Sequence, residues 1–230
     1  MVYAATIDTF SFRFQASGSL WQDALVMQDL ETESLWSQVN GECISGPWEG
    51  SLLKQFPAIH STYKNFKKAF PHGRLLKKPE KGEAGSPYDS YFGDKEKLGI
   101  FGRSDSYARL DGKDKVIGIR METREVAVAF DYLRYKGLVL IHDSAAAIIV
   151  IFNADRATVS AFIFDEPLDT DSVSLNVSEN ILSIADGKMK WNASTGVAIS
   201  EGTVSLKIKP IMTAFWFAWA SFFPETELIE

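Results

Sequence analysis

Three carboxylates stand at alternate positions, Asp29, Glu31 and Glu33, with Thr32 and Ser34 among them and Trp36-Ser37-Gln38 just beyond. A cluster of this kind can hold a hard cation through oxygen, or divide general acid and general base work between two carboxyls. The same residues also make an acidic turn in which Asp29 and Thr32 bond local backbone amides. Both readings are open on the sequence. Ser37 and Gln38 could add polar lining beside Trp36. The candidate pocket is therefore Asp29, Glu31, Glu33, Trp36, Ser37 and Gln38.

Other chemistry is sparse. His60, His72 and His142 have no partner at metal-ligand spacing, so no metal site is expected. Cys43 adjoins Ile44 on an expected strand and reads as a small buried filler rather than a nucleophile. No Ser lies in a nucleophile elbow, and Asp143 and Ser144 beside His142 do not supply one. Gly99-Ile-Phe-Gly lacks the lysine of a phosphate loop, and no dinucleotide fingerprint occurs. No cofactor is implied.

Composition narrows the class. The chain has 230 residues, a net charge of -6 and a 46% apolar content. The apolar content is that of a packed globule, and the acidic balance argues against nucleic acid as a partner. A single Cys cannot form an internal disulfide. The apolar runs 145–152 and 214–223 fall short of the ~20 residues that span a bilayer. The N-terminus has no basic region, apolar stretch or cleavage site of a secretory signal, and the compartment is left unassigned. An unidentified small molecule or protein remains as partner.

The elements that must position these residues are mostly strands. Met1 to Ile7 reads as the middle of a strand, which suggests a missing upstream segment. Phe10, Phe12 and Phe14 alternate with polar residues, with a hairpin turn at Asp8-Thr9. Leu25 to Met27 and Leu35 to Gln38 form the next strands, on either side of the acidic turn. A helix capped by Ser61 carries Tyr63, Phe66 and Phe70 on one face and stops at Pro71. A hairpin spans Val116 to Phe130, and Ala146 to Phe152 is apolar enough for a strand buried on both faces. Strands continue to Ile208, and a second aromatic helix is expected from Thr213 to Phe223.

The chain also repeats itself. Trp36, Gly41, Ile44-Ser45, Leu52, Pro57 and Phe70-Pro71 recur as Trp191, Gly196, Ile199-Ser200, Leu206, Pro210 and Phe223-Pro224. Trp191 follows Trp36 by 155 residues, and Phe223 follows Phe70 by 153. Each unit would be a Trp turn, a Gly-containing strand pair and a helix that covers the sheet's apolar face. The expected division is 1–77 for a first, incomplete unit, 78–112 for a linker and packing loop, and 113–230 for the second unit. Strands precede Trp191 from Lys115 onward, whereas only 35 residues precede Trp36, so the first strands of unit one are expected to be missing. The aromatic cluster Phe215, Trp216, Phe217 and Trp219 is either a helix covered by a neighbouring unit or a partner surface.

The stretch Asp29-Leu-Glu-Thr-Glu-Ser-Leu-Trp-Ser-Gln-Val-Asn-Gly-Glu-Cys-Ile-Ser-Gly-Pro resembles the prokaryotic family described as domain of unknown function 3179. Tyr88-Asp-Ser-Tyr-Phe, Lys113-Asp-Lys-Val-Ile-Gly-Ile and Thr213-Ala-Phe-Trp-Phe-Ala-Trp-Ala-Ser-Phe-Phe-Pro-Glu-Thr-Glu agree, in the family's order. The resemblance carries over no activity. It implies that a Cys-Pro-x-x-Gly segment precedes Met1 in a longer parent, and many members look exported. The expected fold is α+β, mainly antiparallel β, with two related β-rich units each covered by a short aromatic helix. The expected function is a non-catalytic binding or structural module. The alternative is an enzyme or redox protein whose Cys segment lies upstream.

Overall fold

The computed structural model describes residues 1–59, 61–76, 89–94, 96–99, 109–155 and 158–230. His60, Tyr88 and most of the expected 78–112 linker lie outside the described residues. The fold is α+β, with mostly antiparallel sheets and a few short helices. The chain forms two compact units. One comprises Met1–Ala58, Leu98–Phe130 and Pro210–Glu230, and the other Ile59–Lys97 and Asp131–Lys209.

In the first unit, Phe14–Trp21, Ala24–Asp29, Leu35–Ser37 and Cys43–Ser45 form a meander in chain order. Phe12, Trp36, Cys43 and Leu53 are its buried centre. A second sheet runs Met212–Phe215, Lys115–Arg120, Glu125–Ala129, Glu227–Ile229, its last pairing parallel. Helix Trp216–Phe222 lays Trp216, Trp219 and Ala220 on Val116 and Ala127 of that sheet. The aromatic cluster is thus largely core, with Trp216, Phe217 and Trp219 buried. Residues 213–215 are strand rather than the expected first helical turn. Their backbone groups pair instead with the edge of Lys115–Arg120, in the register Met212↔Gly118, which gives partners to amides that the first turn of a helix would leave without an internal acceptor.

The second unit holds a sheet of Leu138–Asp143, Ala146–Asn153, Thr158–Phe164 and Lys207–Ile208. A three-stranded sheet of Val173–Asn176, Ile181–Ile184 and Met189–Asn192 accompanies it. Ile149, Ile151, Phe162, Leu182 and Trp191 share one core. Ala147 to Ile151 are all buried, as their unbroken apolar run requires. Helix Tyr63–Ala69 is capped by Thr62, whose hydroxyl accepts from the Asn65 amide, rather than by Ser61. Helix Phe130–Lys136 has no sequence-level expectation behind it, because Leu133 is its only buried residue and leaves no apolar stripe to read.

The two Trp turns carry the same backbone bonds. Ser37 N–H donates to Glu42 O, and Asn192 N–H to Val197 O. Gly41 N–H donates to Ser37 O, and Gly196 N–H to Asn192 O. Trp36 pairs with Met27 and Cys43, and Trp191 with Leu182 and Ala198. Leu53, not the exposed Leu52, corresponds to Leu206, since both amides donate to the turn glycine's carbonyl.

Both turn glycines are at positive φ, +73° for Gly41 and +71° for Gly196. A Cβ at Gly41 would stand 2.7 Å from the Tyr3 ring, and one at Gly196 2.7 Å from the Phe162 ring. Gly41→Ala and Gly196→Ala should each lower stability by about 2 kcal/mol, from left-handed strain and displaced aromatics. Urea midpoints check this; a shift near zero in either would refute the packing argument there.

Candidate functional site

Strand Ala24–Asp29 delivers Asp29 into a position with no solvent exposure. A buried carboxylate survives only if hydrogen bonds replace its water. Oδ1 accepts from the Thr32 amide at 2.6 Å and the Thr32 hydroxyl at 2.9 Å. Oδ2 accepts from Trp36 Nε1 at 2.8 Å. Thr32 Oγ1 and Ser34 Oγ lie 2.7 Å apart. With the Thr32 proton directed at Asp29, Ser34 donates to Thr32. Burial pushes the Asp29 pKa up, and the bonds from Trp36 and Thr32 outweigh it, holding the group below the usual carboxylate range. The turn closes through Asp29 N–H to Ser34 O and Glu33 N–H to Asp29 O, both 3.1 Å.

The other candidates are placed apart from this knot. Glu31 takes the Arg13 guanidinium at 2.7 Å and the Arg13 amide at 2.8 Å. These bonds lower its pKa. Glu33 is exposed, with φ +60° at the turn's left-handed position. Gln38 is exposed as well. Ser37 is buried, and its hydroxyl accepts from the Val39 and Asn40 amides at 3.3 and 3.5 Å. Asn192 does the same for Ser194 and Thr195 at 3.0 and 3.1 Å. Ser37 and Asn192 therefore do equivalent work in their turns, although the residues differ. Of the six candidates, the structure joins only Asp29 and Trp36 directly by a side-chain hydrogen bond.

Cys43 is buried, and desolvation chiefly raises its thiol pKa. Its Sγ–H donates to Ser45 O at 3.4 Å. A buried thiol pushed away from thiolate is a poor nucleophile. Among the described residues no three His, Cys, Asp or Glu side chains converge on a metal-sized site. No helix is long and apolar enough to cross a membrane among the described residues.

Tyr3, which the sequence placed only on a strand, closes the Trp36 turn. Its hydroxyl lies 3.0 Å from Gln38 O and 2.9 Å from Val39 O. Burial pushes its pKa up to about 12, against a smaller opposing pull from Arg120. A raised phenol stabilises the fold fully below its unfolded pKa near ~10 and loses that contribution as pH climbs through the folded value. Stability should therefore fall between pH 10 and about 12. Tyr3→Phe should flatten that decline in alkaline urea titrations, and an unchanged slope would remove Tyr3 as its source.

An open site lies elsewhere. In the second unit, Phe164, Met189, Trp191 and Leu206 line a cavity of about 640 Å³. Trp191 Nε1 donates to Val204 O at 2.8 Å and fixes one wall. This volume is within the small-molecule range. The sequence signal for it is the two-residue difference between the Trp-turn segments, which individual motifs do not reveal.

The family model described as "Protein of unknown function (DUF3179)" matches residues 1–226. No curated protein and no solved structure matches the chain.

Proposed function

We propose, from the premise that this chain belongs to the family described as Protein of unknown function (DUF3179), that it works as a non-catalytic binding module. One observation carries the reading: the acidic turn spends its chemistry on its own fold. Asp29 has no solvent exposure and accepts from Trp36 and Thr32 within its own turn, so it is not presented to a substrate or cation. Glu31 is engaged by Arg13, and Ser37 caps its own turn.

The matched bonds of the two Trp turns support a chain built from two related units. The boundaries near 77 and 113 describe that duplication, rather than the compact units, which interleave segments of both halves. The open cavity beside Trp191 favours binding over a purely structural role.

The test is a calorimetric screen of the chain against a metabolite panel, run beside turnover assays for hydrolytic and redox reactions. Saturable binding without turnover is expected, and Glu33→Gln and Gln38→Ala should leave that binding intact. Turnover that Glu33→Gln or Gln38→Ala abolishes would overturn the reading.

A further inference from the structure

The two Trp turns differ in what covers them. Around Trp36 the chain supplies its own aromatics. Phe12 and Phe14 stand edge-on to Trp36, with ring centroids at 5.3 and 5.8 Å. Trp48, on the loop 46–50, stands edge-on to Phe12 at 5.2 Å and tilted against Phe10 at 5.2 Å. Around Trp191, Phe164 takes the edge-on place at 6.1 Å and 83°. The chain between the matched bonds is shorter there. Gly41 O accepts from Leu53, twelve residues on, whereas Gly196 O accepts from Leu206, ten residues on. Glu201-Gly202-Thr203 stands where the first turn has Gly46-Pro-Trp-Glu-Gly, and the indole of Trp48 has no equivalent.

The cavity of about 640 Å³ lies against this shortened loop, which contributes Glu201, Gly202 and Thr203 to its lining. Its floor is the apolar and aromatic surface that a ring would cover, from Phe164, Met189, Trp191 and Leu206. The rim is charged. Lys207 is tied to Asp165 at 2.9 Å, which leaves the carboxylates of Glu166 and Glu201 against Lys188. The rim therefore favours a cation over an anion.

We infer that this cavity binds a small molecule built on an indole-sized aromatic ring that carries a cationic amine. The inference rests on the binding-module reading and names its ligand class. The ring replaces the missing Trp48 equivalent on the aromatic floor, in edge-on or offset contact. The amine stands at the rim near Glu166 and Glu201. The cavity exceeds the volume of a bare indole, so the substituent has room inside it.

Tryptamine and indole-3-acetate are the probes, titrated calorimetrically into the full chain, with binding located by amide chemical shifts. Tryptamine should bind with one site and at least about threefold tighter than indole-3-acetate, a modest margin because the rim carboxylates are exposed. Thr203→Trp puts an indole into the gap and should weaken tryptamine binding by about tenfold or more. Glu166→Gln, at an exposed position, should erase the preference for the amine. Should Thr203→Trp fail to fold, Phe164→Leu serves instead and should weaken tryptamine binding several-fold.

No saturable binding of either probe overturns the inference. So does tighter binding of the acetate, or tryptamine binding that a folded Thr203→Trp leaves unchanged. Failure of both probes while a different metabolite binds without turnover sinks the cavity's ligand class and leaves the module reading standing. Turnover of a panel substrate that Glu33→Gln abolishes does the reverse.

Discussion

Gly118→Ala is expected to cost the chain about 3 kcal/mol or more, a large part of the roughly 5–15 kcal/mol that holds a domain together. The cause is steric and has no easy relief. Gly118 sits in the middle of strand Lys115–Arg120, paired with Ala127 on one side and Met212 on the other. A Cβ there would overlap the six-membered ring of Trp219. The strand cannot retreat without breaking two ladders. Trp219 cannot swing aside either. It is 1% exposed, and its Nε1 donates at 3.0 Å to the Thr226 hydroxyl, itself buried. Arg109 holds the adjoining chain by donating to Thr226 O at 2.7 Å and Pro224 O at 3.1 Å. Urea unfolding measures the loss. A double variant with Trp219→Phe should recover part of it, because the smaller ring vacates the contested space. If Gly118→Ala unfolds within about 1 kcal/mol of the parent, well below a typical overpacking cost, the close packing of strand and indole is wrong.

Gly118 also shows where the sequence stops being informative. It lies in Lys113-Asp-Lys-Val-Ile-Gly-Ile, and Trp219 in Thr213-Ala-Phe-Trp-Phe-Ala-Trp, two segments that carry the family resemblance. Each can be recognised alone, but that one is a glycine because the other is an indole depends on a pairing across some hundred residues. Local signals did better. The apolar run at Ala147 to Ile151 announced a strand buried on both faces, and Asp8-Thr9 announced the turn that pairs Thr6–Ile7 with Phe10–Ser11, although the alternation from Phe10 to Phe14 is broken at Phe12 and Arg13. The extended start at Met212–Phe215 was illegible, because the aromatic pattern is compatible with a helix and a distant strand edge decides otherwise.

The site follows the same division. Asp29, Thr32, Ser34 and Trp36 are close in sequence, so their gathering at one turn was legible. Their burial was not, and burial turns a cluster of apparent reactivity into a closed knot. Ser37 reads in the sequence as polar lining beside Trp36, yet it and Asn192 both cap their turns through a side-chain oxygen. The cavity beside Trp191 has no local signature, because its lining is gathered from separate segments around Phe164, Trp191 and Leu206.

Asp29→Ala should be the other severe change, at about 3 kcal/mol, since it strands the fully buried Trp36 N–H and removes the acceptor that closes the turn on the Thr32 amide and hydroxyl. Asp29→Asn is the sharper probe. Its carboxamide keeps an oxygen for Thr32 but turns an N–H toward the Trp36 N–H, so a loss of about 2 kcal/mol is expected at neutral pH. The pH dependence separates charge from shape. Because the Asp29 carboxyl is lowered in the fold, its contribution is present above the unfolded value near ~3.9 and disappears as pH falls through the folded value. The gap between parent and Asp29→Asn should therefore be widest at neutral pH and narrow on the acid side, where the parent also protonates. Urea midpoints near pH 7, 5 and 3 would trace it. A gap that stays constant to pH 3 would mean that the carboxylate's charge contributes nothing and only its shape matters. A folded Asp29→Asn that keeps its stability but loses tryptamine binding would tell against the division argued above, because a residue without solvent exposure would then be acting on a ligand rather than on the turn.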